Sequence, residues 1–146
     1  MTFTELRVQR LDPHAILPTR AHPGDAGLDL HTLDPCTLAP GQRATVRTGV
    51  AVEIPEGYAG LVMPRSGLAA RHGIALVNAP GLIDAGYRGE IKVLLLNTDR
   101  EHDCELAAGD RIAQLVLTPV HTPIVVEVLS LSGSARAAGG FGSTGR

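Results

Sequence analysis

The chain of 146 residues has a formal net charge of −2 and a pI near 6.3, so it lacks the basic field that polymeric nucleic acid requires of a partner. Aromatic residues make up 3% of the chain, whereas 17 glycines and 10 prolines favour short strands and turns over long helices. We therefore expect one mainly β domain that does not bind polymeric nucleic acid.

The cysteines and the N-terminal residues bear on the compartment. Cys36 and Cys104 are an isolated pair without metal-ligand spacing, and the six histidines are not clustered, so no zinc site is predicted. The first residues lack the order of a signal peptide, and no apolar run approaches the roughly 18 residues of a membrane span. These features predict a cytoplasmic protein without a membrane partner.

The first predicted strand covers residues 6–11, where apolar and polar residues alternate until Pro13, and it is expected near a sheet edge. Residues 33–54 alternate turn residues with strand-like runs and are expected to be scaffold. Residues 57–63 predict another strand.

Between these segments, Asp25 and Asp29 lie four positions apart and would share a face of an extended segment. Two carboxylates on one face could hold a hard cation. Aspartate also caps turns readily, so turn chemistry is the more common origin of such a pattern. Both interpretations stay open from the spacing alone.

A short helix of about two turns is predicted next, with Ser66 as N-cap, residues 68–71 as helix formers and Gly73 at its C-terminal end. Its free N–H groups and the preceding Arg65 could bind an anion such as phosphate. A connector helix beside a solvated arginine explains the same residues equally well. Residues 74–77 then predict a strand.

The loop of residues 78–91 is the predicted centre of the chemistry. Its three glycines allow tight folding and can offer main-chain groups to a small flat ligand. Asp84, beside the apolar Ile83, would suit a general base, with Tyr87 three residues later. An ordinary hairpin with a turn aspartate and a surface tyrosine is the plain alternative. The loop and the preceding helix are expected to form one pocket.

Two strands follow the loop. Residues 90–96 are apolar on both faces, which predicts a central strand buried on both sides. Residues 109–117 predict a strand in which two polar residues need partners. Arg111 is expected to pair with Asp110, and Gln114 could reach a phosphate oxygen.

The C-terminal part begins with residues 124–131, which predict the last strand. Residues 132–146 contain too little apolar surface to order themselves and predict a flexible tail. The glycine-rich run 139–145 could still bind phosphates through backbone N–H groups, with Arg136 as a cation and Phe141 as an aromatic face. Such a tail could close over a bound nucleotide.

Five segments, taken in order, closely resemble the five motifs of the homotrimeric dUTPase family, the deoxyuridine triphosphate nucleotidohydrolases. They are 25–30 (DAGLDL), 64–69 (PRSGLA), 81–90 (GLIDAGYRGE), 109–115 (GDRIAQL), and Arg136 followed by 139–145 (GGFGSTG). The resemblance spans most of the chain. It implies an all-β, jelly-roll-like barrel or sandwich with one short helix, assembled as a homotrimer with shared active sites. Residues 1–131 would form this domain, and residues 132–146 the tail that reaches a neighbour's site.

The resemblance also implies an activity: hydrolysis of dUTP to dUMP and pyrophosphate by magnesium-assisted attack of water on the α-phosphate. This reaction limits uracil incorporation into DNA and supplies dUMP for thymidylate synthesis. By the same resemblance, Asp84 would orient and deprotonate the water, and Asp29 would hold waters of Mg²⁺. Asn78 and the backbone of 81–84 would read uracil, while Tyr87 would pack on deoxyribose and exclude a 2′-hydroxyl.

The other substrate-binding positions implied by the resemblance are mostly phosphate contacts. They are Arg65, Ser66, Gly67 and Gln114 in the domain and Arg136, Ser143 and Thr144 in the tail, where Phe141 would stack over uracil; Gly81, Ile83, Lys92 and Gly142 complete the set. Phosphoryl transfer gains most from positioning and charge neutralisation, so this division is chemically sensible.

Two other functions remain open at this point. A dCTP deaminase shares the fold but uses a glutamate and attacks the base, and both Asp84 and the glycine-rich tail favour a dUTPase instead. A non-catalytic trimer could use the same surface to bind a nucleotide. Serine hydrolase and P-loop NTPase activities are disfavoured, because neither motif is present.

Overall fold

Eleven β-strands and one helix make up the regular structure of residues 5–145, the part of the chain described by the computed structural model. Residues 1–4, which entered the signal-peptide argument, and Arg146 of the predicted tail lie outside the described residues. The elements are β1 (Arg7–Arg10), β2 (Leu28–His31), β3 (Cys36–Leu38), β4 (Arg43–Arg47), β5 (Val50–Glu53), β6 (Tyr58–Met63), α1 (Ser66–His72), β7 (Ile74–Leu76), β8 (Gly81–Ile83), β9 (Lys92–Asn97), β10 (Cys104–Leu106) and β11 (Arg111–Pro119). The predicted all-β, jelly-roll-like fold with one short helix is confirmed.

The strands form antiparallel sheets in the orders β1–β5, β3–β10, β2–β11–β6–β8 and β4–β9–β7. Alternate side chains point inward from these sheets and pack into one apolar core, as the two-residue period of a strand requires. Leu30, Leu38, Leu95 and Leu115 are fully buried there. Each such side chain contributes about 1.5–3 kcal/mol of burial free energy. The core thus fixes the sheets whose edges carry the predicted site residues.

The predicted first strand is confirmed as an edge strand, since β1 pairs with β5 alone among the described strands. The predicted central strand at 90–96 differs from β9 in two ways. The observed strand β9 begins at Lys92, and only one of its faces is buried, namely that of Val93, Leu95 and Asn97. The two preceding residues belong to no strand, because they are bound to residues 47–50.

The predicted last strand at 124–131 is wrong for this chain. The segment has no strand partner among the described residues, and its apolar side chains are exposed, with Ile124 at 90% and Leu129 at 107% of full accessibility. A β-branched, apolar pattern indicates that a segment can pair, but it does not provide the partner. The described strands end at Pro119.

The predicted helix is confirmed with a correction at its N-terminus. Helix α1 has seven residues and ends at Gly73, whose φ of 63° is the left-handed conformation that glycine adopts easily. The N-cap is Arg65, with φ −94° and ψ 129°, and not Ser66. The chain stays extended through Arg65 because its guanidinium is bound across β2 and β11. No helix in residues 5–145 is long and apolar enough to cross a membrane.

Candidate functional site

The predicted site residues converge on two clefts and an exposed tail. The loop cleft, of about 330 Å³, is lined by Asn78, Gly81, Ile83, Asp84, Tyr87 and Lys92 among others. The arginine cleft, of about 360 Å³, is lined by Asp29, Arg65, Ser66, Gly67 and Gln114 among others. The two clefts share no lining residue. The prediction of one pocket is therefore wrong for a single chain, because β8 pairs with one edge of β6 while β11 and β2 extend the sheet from the other.

The floor of the loop cleft is β8, which pairs with β6 so that Gly81 lies opposite Val62 and Ile83 opposite Gly60. A Cβ on Gly81 would lie 3.3 Å from the Val62 Cβ, so glycine allows the two strands to pack closely here. Ile83 points into the core, whereas Asp84 is exposed. The expectation that apolar neighbours enclose the Asp84 carboxylate is therefore not met within one chain.

Tyr87 stands at the rim of the loop cleft in a defined orientation. The Asp84 carbonyl accepts a hydrogen bond of 3.0 Å from the Tyr87 N–H, which closes the turn. The Tyr87 hydroxyl donates to the Glu90 carbonyl at 3.0 Å, and the ring lies against Gly89 so closely that a Cβ there would collide with it. Arg88 donates to the carbonyls of Ala85 (2.6 Å) and Tyr87 (3.0 Å). The turn is thus held by its own side chains.

A β-bulge in β11 arranges the arginine cleft. Arg111 lies opposite His31 and Gln114 opposite Asp29, with the register shift between Arg111 and Ala113. Three residues apart in a regular strand, Arg111 and Gln114 would point to opposite faces; the extra residue turns both to the face of Asp29. This explains how two polar residues interrupt the apolar pattern of β11 and still face one cleft.

The Asp29 carboxylate lies between two arginines. Its Oδ1 is 3.6 Å from the Arg65 Nε and its Oδ2 is 3.6 Å from the Arg111 Nη1, with the Asp29 side chain 15% exposed. Arg65 also donates to the Arg111 carbonyl at 3.1 Å. Two guanidinium groups therefore lie beside Asp29 in the cleft and can donate to an anionic ligand. The second carboxylate of the cleft, that of Asp25, accepts the His22 N–H.

Two predictions about aspartates are resolved by these contacts. The predicted Asp110–Arg111 pair is wrong: Asp110 accepts the Ala107 N–H at 2.8 Å in a turn, and Arg111 pairs with Asp29. Turn chemistry is confirmed for Asp25, which accepts the His22 N–H at 2.9 Å. The described residues contain no group of three His, Cys, Asp or Glu side chains that could hold a metal ion.

Gln114 connects the arginine cleft to the start of α1. Its Nε2 donates to the Pro64 carbonyl at 3.1 Å, one residue before Arg65. Its Oε1 lies 2.5 Å from where a Cβ on Gly27 would be, so only glycine leaves room for this side chain. Gln114 thus fixes the turn that carries Arg65, Ser66 and Gly67.

His31 is a cleft neighbour that the sequence did not suggest. Its Nδ1 is buried without a hydrogen-bond partner. Burial lowers the pKa of His31, the positive charges of Arg111 and Arg65 lower it further, and Asp29 opposes the shift. Arg111 was missed because its proximity to Asp29 depends on the β2–β11 register, which no local motif encodes. His31 lies two residues after Asp29 in β2, so the two-residue period of a strand could have placed it on the same face.

The tail residues lie away from both clefts. Arg136 Nε donates to the Gly139 carbonyl at 2.8 Å, and the other hydrogen bonds of the tail also stay within residues 134–145. The predicted contacts Arg136, Phe141, Gly142, Ser143 and Thr144 line neither cleft of their own chain. Phe141 is fully exposed. This chain alone therefore does not bring the fifth motif to the other four.

Comparisons with known proteins agree with one another. The dUTPase family model matches residues 13–145. A deoxyuridine 5'-triphosphate nucleotidohydrolase of Thermobifida fusca (strain YX) is 63% identical over 140 residues, 96% of this chain and 78% of that protein. The Staphylococcus bacteriophage 80alpha dUTPase with dUPNHPP has a TM-score of 0.91 at 33% identity, covering 99% of this chain and 100% of that one. A mutant dUTPase from phage phi11 of S. aureus, with a coordinated structural Mg(II) ion, has a TM-score of 0.82 at 30% identity over 89% and 100% of the two chains.

Anion binding by the two arginines of the arginine cleft can be tested with Asp29→Asn. The change removes the carboxylate that competes with an anion for Arg65 and Arg111, so we expect affinity for inorganic triphosphate in metal-free buffer to rise about tenfold. Isothermal titration calorimetry measures this. Asp34→Asn, which changes an exposed carboxylate outside the cleft, serves as the control and should leave the affinity unchanged. A weaker complex with the Asp29 variant would contradict the charge assignment.

Proposed function

Because this chain belongs to the dUTPase family, we propose that its loop cleft and its arginine cleft are two parts of one dUTPase active site, completed between subunits. The chain hydrolyses dUTP to dUMP and pyrophosphate, which makes it an enzyme of nucleotide metabolism. The observation that supports the division is that the predicted base-reading residues and the predicted phosphate-binding residues each converge, but on separate clefts.

In this proposal the loop cleft binds the nucleoside. Asn78 and the main chain of β8 offer fixed donors and acceptors to the uracil edge, as a flat base requires for recognition. The Tyr87 ring packs on the deoxyribose and leaves no space for a 2′-hydroxyl. Asp84 orients a water and takes its proton, and a second subunit would cover this carboxylate, which one chain leaves exposed.

The arginine cleft binds the triphosphate. Arg65 supplies a planar donor fork matched to phosphate oxygens, and the first turn of α1 carries no acidic residue that would repel them. Gln114, Ser66 and Gly67 supply neutral donors at the same turn. We add Arg111 to this set, because it lies beside Arg65 on the same carboxylate. The tail's Arg136, Ser143 and Thr144 would close over the outer phosphates of a neighbour's site, with Phe141 over the base.

The donor set of the arginine cleft fits Mg²⁺ that arrives with the nucleotide. The dUTPase family is magnesium-dependent in general. Asp29 is one carboxylate between two cations, which is too little to bind an ion alone but sufficient to hold waters of an ion carried by a triphosphate. When bound, the ion would neutralise phosphate charge. Asp29 would meanwhile keep Arg65 and Arg111 aligned.

We propose a homotrimer, because one chain leaves three features without a partner: the apolar segment 124–131, the tail from residue 132 and the two open cleft halves. Burial of the exposed Val, Ile and Leu side chains of that segment against a neighbour would stabilise such an assembly. In this arrangement residues 1–131 form the domain and 132–146 the closing tail. Cys36 and Cys104 are free thiols, which suits the cytoplasm that we propose as the location.

Substrate choice tests the proposed function. We expect pyrophosphate release from dUTP in Mg²⁺, little release from dCTP, dTTP or UTP, and loss of activity in excess chelator. Product analysis by ion-exchange chromatography, with an ammonia assay on the dCTP sample, measures this. Release of ammonia from dCTP would indicate a dCTP deaminase instead. Tight dUTP binding without turnover would indicate a non-catalytic nucleotide-binding protein.

Site sharing can be tested by mixing two inactive variants. Asp84→Asn and Arg65→Ala should each lower kcat/KM by about 100-fold or more, since one removes the base and the other a phosphate contact. In trimers reassembled from an equal mixture, about a quarter of the sites should combine an intact Asp84 from one chain with an intact Arg65 from another. Steady-state assays should therefore recover a comparable share of activity. A mixture of Asp84→Asn with Asp84→Ala should stay inactive, and absence of recovery in verified mixed trimers would refute sharing.

The role of the tail can be tested by ending the chain at Leu131. The truncated chain should remain a folded trimer, because residues 132–145 make no described hydrogen bond to the domain, while kcat/KM falls by at least about tenfold. Circular dichroism, sedimentation and dUTP assays measure the three properties. In the full-length chain, Arg136→Gln removes the positive charge of the tail but keeps the tail itself, so it shows how much of the lost activity is due to that charge. An unfolded truncation, or one with full activity, would show that the tail's role is assigned wrongly.

A further inference from the structure

We propose that Glu90 is a positioning residue that fixes the Tyr87 ring and thereby sets the preference for deoxyribose over ribose, an inference that rests on the proposed sugar-packing role of Tyr87. Glu90 lies in the loop cleft wall behind Tyr87. It was not among the predicted site residues. Its role follows from a series of contacts that connects the Tyr87 hydroxyl to the turn between β4 and β5.

The first part of this series of contacts holds the Tyr87 ring in place. The ring is about half exposed, so packing alone does not hold it. Its orientation depends on the 3.0 Å hydrogen bond from the hydroxyl to the Glu90 carbonyl and on the space above Gly89. A shift of the Glu90 carbonyl therefore moves the only described hydrogen-bond acceptor of the Tyr87 hydroxyl.

The second part is the Glu90 side chain, which points away from the ring and is only 13% exposed. Its Oε1 accepts the Gly49 N–H at 2.9 Å, and the Arg47 Nε lies 3.1 Å from Oε1 and 3.3 Å from Oε2. Gly49 has a φ of 71°, and a Cβ there would lie 2.8 Å from the Ala15 Cβ. The turn between β4 and β5 thus brings a main-chain donor and a guanidinium to the same carboxylate.

The third part is the attachment of Ile91, the residue after Glu90, to residues 48 and 50. The Ile91 N–H donates to the Val50 carbonyl at 2.8 Å, and the buried Thr48 hydroxyl donates to the Ile91 carbonyl at 2.6 Å. These bonds do not involve the Glu90 side chain. Removal of the carboxylate should therefore leave the loop attached at Ile91 while the Glu90 carbonyl, and Tyr87 with it, gains freedom.

This arrangement explains how a rim residue can discriminate a single hydroxyl. A site rejects an analogue with one added hydroxyl by steric exclusion only if the excluding group cannot move aside. Tyr87 has no other described hydrogen bond through its hydroxyl, so its resistance to displacement comes from Glu90 and Gly89. Loss of this support admits the 2′-hydroxyl without removal of any group that contacts phosphate.

The kinetic test compares Glu90→Ala, Glu90→Gln and the control Asp34→Asn, which removes only the exposed partner of Arg47 at 3.9 Å. We expect Glu90→Ala to raise the ratio of kcat/KM for UTP to that for dUTP about tenfold. Glu90→Gln keeps an acceptor for the Gly49 N–H and should restore most of the selectivity, and Asp34→Asn should match the parent. A ratio unchanged in folded Glu90→Ala overturns the proposal.

A spectroscopic test separates this inference from the proposed function. The chain has two tyrosines and no tryptophan, so in a Tyr58→Phe background tyrosine emission comes from Tyr87. Acrylamide quenching should increase in Glu90→Ala and stay at the parent value in Glu90→Gln. If the parent does not hydrolyse dUTP, the proposed function fails but this coupling is still measured. Should Glu90→Ala not fold, Gly89→Ala, which displaces the ring directly, must change both quenching and selectivity; unchanged values in that variant refute the proposal.

Discussion

The antiparallel pairing of β11 with both β2 and β6 is the constraint on which the arginine cleft depends. Gln114 lies opposite Asp29 on one side and opposite Met63 on the other, so one row across the sheet joins the first and fourth motif segments with the residue that precedes the second. Arg65 follows Met63 by two residues and reaches back to Asp29. The bulge then adds Arg111 to the same face. Strand pairing therefore brings Arg65 and Arg111, which are 46 positions apart, to the same carboxylate.

Much of this architecture was predictable, because turns and short strands are local properties. Gly73 in the left-handed conformation and the edge strand β1 followed from residue types and alternation. The bulge at β11 was not predictable, since a register shift depends on the strand opposite and not on the residues that bulge. The pairing of Arg111 with Asp29 and the position of Arg111 opposite His31 depend on that register. The N-cap at Arg65 likewise depends on a tertiary contact that overrides the capping preference of Ser66.

For the site residues, too, one part could be predicted from the sequence and another could not. Each of the five motif segments could be identified from sequence, and residues of four of them do line clefts. Their grouping into two separate clefts could not be identified, because it is decided by the strand order around β6. The strand prediction for residues 124–131 was wrong for a related reason. Their composition favours a strand, but strand formation needs an edge, and none of the described strands pairs with them. In both cases the missing information concerns partners and not propensity.

Selectivity and charge neutralisation are assigned to different parts of the fold, and this separation has a physical advantage. The arginine cleft places two partly exposed guanidinium groups beside Asp29, where they can pair with the oxygens of a charged triphosphate. The loop cleft must instead be rigid, because rejection of one hydroxyl depends on a ring that does not move. The rigid half is accordingly the one bound to the sheet on several sides, by β6 through main-chain pairing and by residues 47–50 through Glu90 and Ile91. In the proposed trimer, assembly of the site from separate chains would allow each half to meet its own requirement without distortion of the other.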